Sequence, residues 1–333
     1  MVTGRRAVLI TGGAGFIGSH LAEQLLAMGV KVLILDDLSS GRLDNLPKDP
    51  NLIFTRGSVL DYELVRKLVR KASLIFHLAE FIPETESYGV GHVVKFSVED
   101  PHRVFDITCK GTLNVLEAIR RSGAPGDKKI IFASSAAVYG RSEAERLSED
   151  QELKPISPYG AAKLSAEIFI RTYGDLYNIP FTIARIFNAY GPRQRKYVLY
   201  DLLLRLSRST KGPLELYGTG EEIRDFIYVG DVVKALLLLA KHEKAEGQTF
   251  NVGTGIETSI RRLVELVLEL TGSDRYLVFK GSSWAGDVKR LVADISRIRR
   301  LGFKPDYQLK EGLKKTINWF LGQNCKKSYI PYR

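Results

Sequence analysis

The stretch AVLITGGAGFIGSH, Ala7–His20, decides the fold of this 333-residue chain. Its first four residues are apolar and predict a buried strand, and the apolar positions of Ile17–Met28 recur with the period of a helix. Gly12, Gly15 and Gly18 stand between them as Gly-x-x-Gly-x-x-Gly. In such a loop, backbone amides at the positive end of a helix face a pyrophosphate with no side chain in the way. The stretch therefore predicts a dinucleotide-binding unit.

An acidic residue, Asp36, ends the second predicted strand, Lys31–Leu35. Its carboxylate can accept hydrogen bonds from both hydroxyls of a ribose and would repel a 2′-phosphate, which favours NAD over NADP. Arg42 follows closely in the sequence and leaves NADP open, because a guanidinium group can accommodate that phosphate.

Predicted strands and helices then alternate through the first half of the chain. Strands are expected at Leu52–Phe54, Leu74–Leu78, Ile130–Ala133 and Phe181–Ile186, and helices at Tyr62–Arg70, Thr108–Arg121 and Pro158–Tyr173. Because such alternation produces right-handed crossovers, it predicts an α/β fold with a Rossmann-type, doubly wound parallel sheet.

The regular alternation of strands and helices changes after Tyr190. The sequence there predicts a helix at Leu199–Ser209, a strand at Phe226–Val229 and a helix for which Asp231 is the expected N-cap. Beyond Thr258 the regular alternation is lost. We expect an NAD-binding domain over residues 1–185, to which 224–254 return, and a smaller, mostly helical substrate-binding domain formed by 186–223 and 255–333.

Composition narrows the class of function. The net charge of +11 is concentrated late in the chain without a nucleic-acid-binding motif, so solvated helix faces and an anionic small molecule explain it. The longest strictly apolar run, Ala235–Ala240, is far short of the ~20 residues that cross a bilayer. Cys109 and Cys325 have neither metal-site spacing nor a disulfide framework. A cytoplasmic protein without a targeting segment and without metal, membrane or nucleic-acid partners is expected.

A phenol and an ammonium group stand one helical turn apart in Tyr159-Gly-Ala-Ala-Lys163. A cation beside a phenol favours the phenolate, so the spacing predicts a lowered pKa for Tyr159 and a residue that exchanges a proton while hydride moves to or from a nicotinamide. Lys163 can also hydrogen-bond the nicotinamide ribose. Ser135 ends a predicted strand, at the sheet edge where ligands bind, and would polarise the reacting oxygen. The three residues form the predicted catalytic set.

Seven motifs and the strand-end Asp36 together resemble the extended short-chain dehydrogenases/reductases, and most of all the UDP-glucose (UDP-galactose) 4-epimerases among them. The motifs are TGGAGFIGSH (Thr11–His20), HLA (His77–Ala79), GTLNVLEA (Gly111–Ala118), SSAAVYG (Ser134–Gly140), SPYGAAK (Ser157–Lys163), RIFNAYGPRQ (Arg185–Gln194) and IRDFIYVGDV (Ile223–Val232). The resemblance implies a tightly held NAD, transient oxidation at carbon 4 of a nucleotide-linked sugar, rotation of the keto intermediate and return of hydride to its other face.

The resemblance also assigns roles to individual residues. Tyr159 would be the base, Lys163 its tuning cation and Ser135 the proton-sharing hydroxyl. Asn188 and Arg224 would hold the nucleotide diphosphate. The expected cofactor contacts are Gly12, Gly15, Phe16, Ile17, Gly18, Asp36, Asp37, Ser58, Val59, Leu78, Ala79, Tyr159 and Lys163. Further expected contacts to the nucleotide sugar are Asp287, with its ribose, and Leu291, near the sugar's 2-substituent. A homodimer formed through the helices Thr108–Arg121 and Pro158–Tyr173 is implied as well.

Several positions depart from the family's pattern. Ala136 and Ala137 replace the Asp-Glu pair of 4,6-dehydratases, so elimination lacks its proton shuttle. Trp284 replaces an arginine, and Ser58 replaces an adenine-contacting acid, for which Asp61 is the nearest substitute. The segment Glu80–Lys95 resembles an insertion that carries Glu80, Glu84 and Glu86; it is interpreted either as a solvent loop or as a cover over the nicotinamide or sugar.

Three functions remain open at this point. The first is a UDP-hexose 4-epimerase, with or without an N-acetyl group on the sugar. The second is a nucleotide-sugar dehydrogenase or reductase with an exchangeable cofactor. The third is a non-catalytic NAD-binding protein, which would have no need of a Ser–Tyr–Lys set.

Overall fold

The computed structural model describes residues 7–80, 92–209, 211–281 and 288–324. The strands are β1 (Ala7–Thr11), β2 (Val32–Asp36), β3 (Leu52–Arg56), β4 (Ala72–His77), β5 (Lys129–Ser135), β6 (Phe181–Ile186), β7 (Asn188–Tyr190), β8 (Leu214–Leu216), β9 (Ile223–Arg224), β10 (Phe226–Tyr228), β11 (Gln248–Val252), β12 (Thr258–Ser259), β13 (Leu277–Phe279) and β14 (Arg290–Leu291). The helices are α1 (Phe16–Ala27), α2 (Tyr62–Lys71), α3 (His92–Glu99), α4 (Pro101–Phe105), α5 (Gly111–Arg120), α6 (Pro158–Tyr177), α7 (Tyr197–Arg208), α8 (Val229–Lys241), α9 (Ile260–Thr271), α10 (Ser296–Arg299) and α11 (Leu309–Asn324).

A parallel sheet lies at the centre of the molecule. Among the described residues its seven strands run in the order β11-β6-β5-β4-β1-β2-β3, and each neighbouring pair is parallel. β1 and β2 are buried along their whole length, because helices cover both faces and leave no solvent face that would select alternating polar residues. The predicted doubly wound sheet is confirmed.

Helices bury one apolar cluster on each face of the sheet. On one side α1 and α8 contribute Leu21, Leu25 and Leu236. On the other side α2, α5 and α6 contribute Val65, Leu116 and Ile170. Strand order reverses at β1, which pairs with β2 on one side and β4 on the other. Such a reversal opens a crevice at the carboxyl ends of the strands, where ligands bind in this class of fold.

The later part of the chain packs around a third apolar cluster, to which α7, α9 and α11 contribute Leu203, Val264 and Phe320. β11 returns to the central sheet beside β6. The short strands β9 and β14 pair so that Arg224 and Leu291 are register partners. Within the described ranges, none of the helices has the length and hydrophobicity that crossing a bilayer requires.

Two local predictions are corrected. Asp231 is not an N-cap: α8 begins at Val229, and the buried Asp231 carboxylate accepts hydrogen bonds from the amides of Asp306 and Tyr307. It therefore ties α8 to a distant segment, a role that local sequence cannot reveal. The single helix expected over Thr108–Arg121 begins instead with a π-helical turn, Asp106–Lys110, that leads into α5.

Candidate active site

A cavity of about 450 Å³ opens along the carboxyl edge of the sheet. It brings together every predicted site residue that the structure describes: Gly12, Gly15, Phe16, Ile17, Gly18, Asp36, Asp37, Ser58, Val59, Leu78, Ala79, Ser135, Tyr159, Lys163, Asn188, Arg224 and Leu291. Asp287 and Trp284 lie outside the described residues, as do Glu84 and Glu86.

The glycine loop at one end of this cavity tolerates no side chains at two of its positions. A Cβ atom on Gly18 would lie 2.3 Å from the carbonyl oxygen of Gly12, and one on Gly12, whose φ is +71°, would lie 2.9 Å from the backbone of Ala79. α1 starts directly after Gly15, which has no side chain to satisfy the first amides of the helix. The loop thus forms a backbone cradle for a phosphate group.

Asp36 stands beside this cradle at the end of β2. Its carboxylate accepts hydrogen bonds from the amides of Ala14, at 2.9 Å, and Leu38, at 2.8 Å. Burial raises the pKa of the carboxyl group, and these amide bonds oppose the rise. Asp36 therefore holds the glycine loop in shape as well as lining the cavity. Arg42, the residue that left NADP open, is exposed.

Asp61, the proposed substitute for an adenine-contacting acid, is engaged elsewhere. Its carboxylate caps α2 by accepting a hydrogen bond from the amide of Leu64 at 3.0 Å. Ser58 lines the cavity instead. Helix capping by Asp, Ser, Thr and Asn is a general preference, so the sequence alone could not separate the two uses of Asp61.

Ser135 and Tyr159 are brought together by the packing of α6 on the turn that follows β5. Ser157 caps α6 by accepting a hydrogen bond from the amide of Gly160 at 3.1 Å. A Cβ atom on Gly160 would lie 2.5 Å from the carbonyl oxygen of Ala137, so only glycine allows this close approach. Ser135 and Tyr159 are hydrogen-bonded to each other.

Lys163 lies one turn further along α6 and is buried. Its ammonium group donates to the carbonyl oxygen of Ala133 at 3.0 Å and lies 2.6 Å from Oε2 of Glu80. The expectation that this cation lowers the pKa of Tyr159 is wrong for the structure. Burial, and after it the Glu80 carboxylate, raise that pKa well above its ordinary value, and the hydrogen bond with Ser135 opposes the rise.

Two functional features were missed by sequence reasoning. Tyr197 lines the cavity with a φ of +69°, and its electrostatic coupling to Tyr159 shows that the two phenols are close. No pattern in the sequence predicts that a tyrosine adopts the left-handed backbone conformation. Behind the cavity, the imidazole of His77 shares hydrogen bonds with the hydroxyls of Thr11, at 2.7 Å, and Thr112, at 3.0 Å. Burial lowers the pKa of His77 to about 3, so the ring is neutral and links β1, β4 and α5.

Polar groups mark the far end of the cavity. The amide of Asn188 donates to the backbone carbonyl of Asp225 at 3.4 Å, and the guanidinium of Arg224 donates to the carbonyl oxygen of Ile223 at 2.9 Å. Leu291 lines the wall at the register position of Arg224. A cation, an amide and an apolar wall together suit a ligand with both anionic and sugar-like parts.

The turn after Ser135 has no acid. Ala136 and Ala137 line the cavity there, and their methyl groups can neither donate nor accept a proton. Water elimination from a sugar needs a group that removes one proton and another that protonates the leaving hydroxyl. These two positions supply neither.

A parallel sheet with a phosphate cradle at its switch point, and a hydroxyl, a phenol and an ammonium group gathered at the same edge, define the class of short-chain dehydrogenases/reductases. Over residues 9–316 the chain matches the family model of GDP-mannose 4,6-dehydratase. It belongs to this NAD-dependent epimerase/dehydratase family, and the resemblance drawn from the motifs is confirmed.

Several similar proteins are named 4-epimerases, and others are named decarboxylases or a 4,6-dehydratase. The chain is 37% identical to UDP-glucose 4-epimerase of Mycolicibacterium smegmatis over 94% of this chain and 97% of that protein. The structure of UDP-glucose 4-epimerase from Thermus thermophilus in complex with NAD has a TM-score of 0.81, with 34% identity over 95% of this chain and 99% of that one. UDP-N-acetylglucosamine 4-epimerase from Methanobrevibacter ruminantium, in complex with UDP-N-acetylmuramic acid, has a TM-score of 0.85, with 32% identity over 96% and 99%.

Proposed function

We propose that this protein is an NAD-dependent 4-epimerase of a UDP-linked hexose. The observation that carries the proposal is the Ser135–Tyr159–Lys163 set in the same cavity as the glycine cradle, with alanine at positions 136 and 137. A family member with the hydride-transfer residues can oxidise and re-reduce a sugar, and alanine at these two positions supplies no proton shuttle for dehydration. The three relatives above are named 4-epimerases.

The cradle fits the dinucleotide. The pyrophosphate would lie on the amides of the glycine loop, whose close backbone packing a Cβ atom on Gly18 would disrupt, and Asp36 would accept hydrogen bonds from the ribose hydroxyls. Bound NAD would supply the acceptor and donor of hydride. A ribose with two free hydroxyls suits the carboxylate better than a 2′-phosphate does, so we propose NAD and not NADP.

The remaining chemistry belongs to the protein's own side chains. Tyr159 removes the proton of the carbon-4 hydroxyl and returns it when the carbonyl is reduced. Ser135 hydrogen-bonds the same oxygen and the phenol, so the proton moves within a fixed network. Lys163 holds a positive charge near the phenol and orients the ribose. Exclusion of water by the surrounding apolar wall keeps the transient ketone from side reactions.

The nucleotide half of the substrate would be held at the far end of the cavity. We propose that Arg224 and Asn188 bind the diphosphate and that Asp287 contacts the ribose. We also propose residues 186–223 and 255–333 as the substrate-binding domain and 1–185 with 224–254 as the NAD-binding domain, with Arg224 reaching the substrate from the edge of the latter. Support comes from the cavity, which extends from the glycine loop to Arg224 and Leu291.

The test is the interconversion of UDP-galactose and UDP-glucose by purified protein without added cofactor. Proton NMR of the anomeric signals should show both sugars approaching the same ratio from either direction. Mass spectrometry of the denatured protein should release NAD. Net consumption of added NADH without interconversion would instead identify a reductase, and bound NAD without any turnover of UDP-, dTDP- or GDP-sugars would identify a binding protein.

We also propose that the sugar site accepts an N-acetylated hexose. The position of Leu291 corresponds in the family to the residue near the sugar's 2-substituent, and leucine is smaller than the aromatic residue that excludes an acetamido group. Wild type should epimerise both UDP-galactose and UDP-N-acetylgalactosamine, and Leu291→Tyr should lose mainly the second activity. Wild type that rejects the acetylated sugar, or an unchanged ratio in the variant, would show that Leu291 is not the gate.

The proposed working form is a cytoplasmic homodimer. α6 exposes Ile168, Phe169 and Leu176, and the last two are seven residues apart and so share a face. Phe105 on the neighbouring α4 is also exposed. We propose that a second copy of the chain packs through α5 and α6, the two helices predicted from the sequence, and covers this apolar surface. Cytoplasm is proposed because Cys109 is a free, buried thiol and because NAD and nucleotide sugars are metabolites of that compartment.

A further inference from the structure

Glu80 is a charged residue of the insertion that lies in the active site. It follows β4 directly after the HLA motif, and its side chain lines the same cavity as Tyr159 and Lys163. Only 9% of the side chain is exposed. A carboxylate in so buried a place is costly unless charges and hydrogen bonds compensate it.

Two elements provide that compensation. The Lys163 ammonium on α6 lies 2.6 Å from Oε2 of Glu80, and the Thr108 hydroxyl in the π-helical turn donates to Oε1 at 2.8 Å. The carboxylate is thereby fixed in position. Lys163 is fixed in turn, because its ammonium also donates to the carbonyl oxygen of Ala133. An ammonium group has three donors, so these two contacts among the described residues leave a third donor for a bound ligand.

Three other titratable groups face this ion pair from neighbouring elements. They are His77 on β4, Cys109 in the π-helical turn and Tyr197 at the start of α7. Burial lowers the pKa of His77 to about 3 and raises that of Cys109 to about 11. Burial, with Tyr159 and Glu80, raises the pKa of Tyr197 well above its ordinary value. All three are neutral at ordinary pH, so in the described residues the charges around Tyr159 are those of the Glu80–Lys163 pair.

We propose that Glu80 is a positioning residue that sets the working pH of the reaction by holding and neutralising the Lys163 ammonium beside Tyr159. A lysine alone would make this end of the cavity cationic and favour the phenolate; the ion pair makes it neutral. The proposal rests on the proposed function only in taking Tyr159 as the base. Glu80 affects Lys163 in two ways. It holds the ammonium group in position, and its negative charge offsets the positive charge of that group.

The sign of the effect follows from the charges. The carboxylate opposes the formation of a second anion on Tyr159, so removing its charge should lower the pKa of the phenol. In Glu80→Gln, which keeps the shape and can still accept from Thr108, the acidic limb of the kcat–pH profile should move down by about one pH unit or more. At pH values below the wild-type limb the variant should turn over faster than wild type. On the plateau it should be slower, because Lys163 is less firmly held.

The experiment measures the phenol directly as well as through activity. Ultraviolet difference spectra of the NAD-loaded protein, titrated with base and corrected with Tyr159→Phe, follow tyrosinate formation without any substrate. Tyrosinate should appear at lower pH in Glu80→Gln than in wild type. Glu215→Gln is the control, since it removes the charge of a carboxylate in an exposed ion pair, 2.7 Å from Lys280, on the remote strand β8. Its profile and spectrum should match wild type.

Coincident tyrosinate titrations in wild type and Glu80→Gln would overturn the proposal, whatever the substrate proves to be. A missing UDP-galactose activity with a shifted titration would instead contradict only the proposed function. Melting temperatures establish that each variant is folded.

Should Glu80→Gln fail to fold, Thr108→Val is the second variant. It keeps the Glu80 carboxylate but removes the hydroxyl that fixes it, and it should lower kcat with NAD binding retained. Unchanged kcat in that variant would count against the positioning role.

Discussion

Tyr159, the proposed base, is buried, and its surroundings make the phenol a weak acid. Burial and Glu80 raise its pKa, while the hydrogen bond with Ser135 lowers it. The hydroxyl is the one polar atom of this side chain, and the ring lines the cavity. A substitution by phenylalanine can therefore remove the hydroxyl that transfers the proton and keep the packing of the ring.

Tyr159→Phe is expected to lower kcat by at least about 100-fold, because acid–base catalysis typically contributes ~10²–10⁴-fold. NAD should remain bound, since the change removes one oxygen and little volume. Kinetics with UDP-galactose and mass spectrometry of the bound nucleotide are the measurements. A variant that keeps more than about a tenth of the wild-type rate would show that another group is the base.

Asp36→Ala is expected to weaken NAD binding by roughly tenfold or more, because hydrogen bonds to a charged group contribute about 1.5–3 kcal/mol. The preference for NAD over NADP should narrow as well. The amides of Ala14 and Leu38 also lose their acceptor, so the melting temperature should fall. Asp36→Asn, which can keep one amide contact, is the control for that structural part. An unchanged preference for NAD over NADP in both variants would show that Arg42 or the backbone determines that preference.

At the scale of elements, the geometry of the proposed catalytic set depends on how closely α6 approaches the turn after β5. Gly160→Ala should lower kcat by about 10–100-fold, because its Cβ atom would force the Ala137 carbonyl and α6 apart, and misplacements near 1 Å are costly in catalysis. Gly322→Ala on α11 is the matched control, since its Cβ atom meets nothing within 4 Å. That variant should keep full activity and be as stable as wild type or slightly more so. Full activity in Gly160→Ala would contradict this account of α6.

Elements were predictable from sequence where a short-range pattern specifies them. The apolar runs of β1 and β2 and the glycine loop fix the sheet and its phosphate end, and each was predicted within a few residues. The predicted N-cap role of Asp231 is wrong, and the role of Asp61 was ambiguous from the sequence. An acid near the start of a helix can cap that helix or accept a hydrogen bond from a distant amide. Tyr197 and the Glu80–Lys163 pair depend on contacts between segments far apart in sequence, which no local pattern encodes.

The association of whole molecules follows from the exposed apolar residues of α6. Light scattering at micromolar concentration should give the mass of a dimer. Phe169→Glu combined with Leu176→Glu should give a monomer, because burying two carboxylates in the interface is prohibitive without partners. Met28→Glu, at an exposed apolar position on the far end of α1, should remain dimeric. A monomeric wild type would refute the proposed assembly.

The central claim for the molecule as a whole is that a hydride leaves carbon 4 of the sugar, stays within the protein and returns to the same carbon. UDP-galactose carrying deuterium at carbon 4 tests it most directly. Converted without added cofactor, it should yield UDP-glucose that retains the deuterium at carbon 4, and Tyr159→Phe should yield no product. Loss of the deuterium to water, or its recovery in free NADH, would contradict the claim.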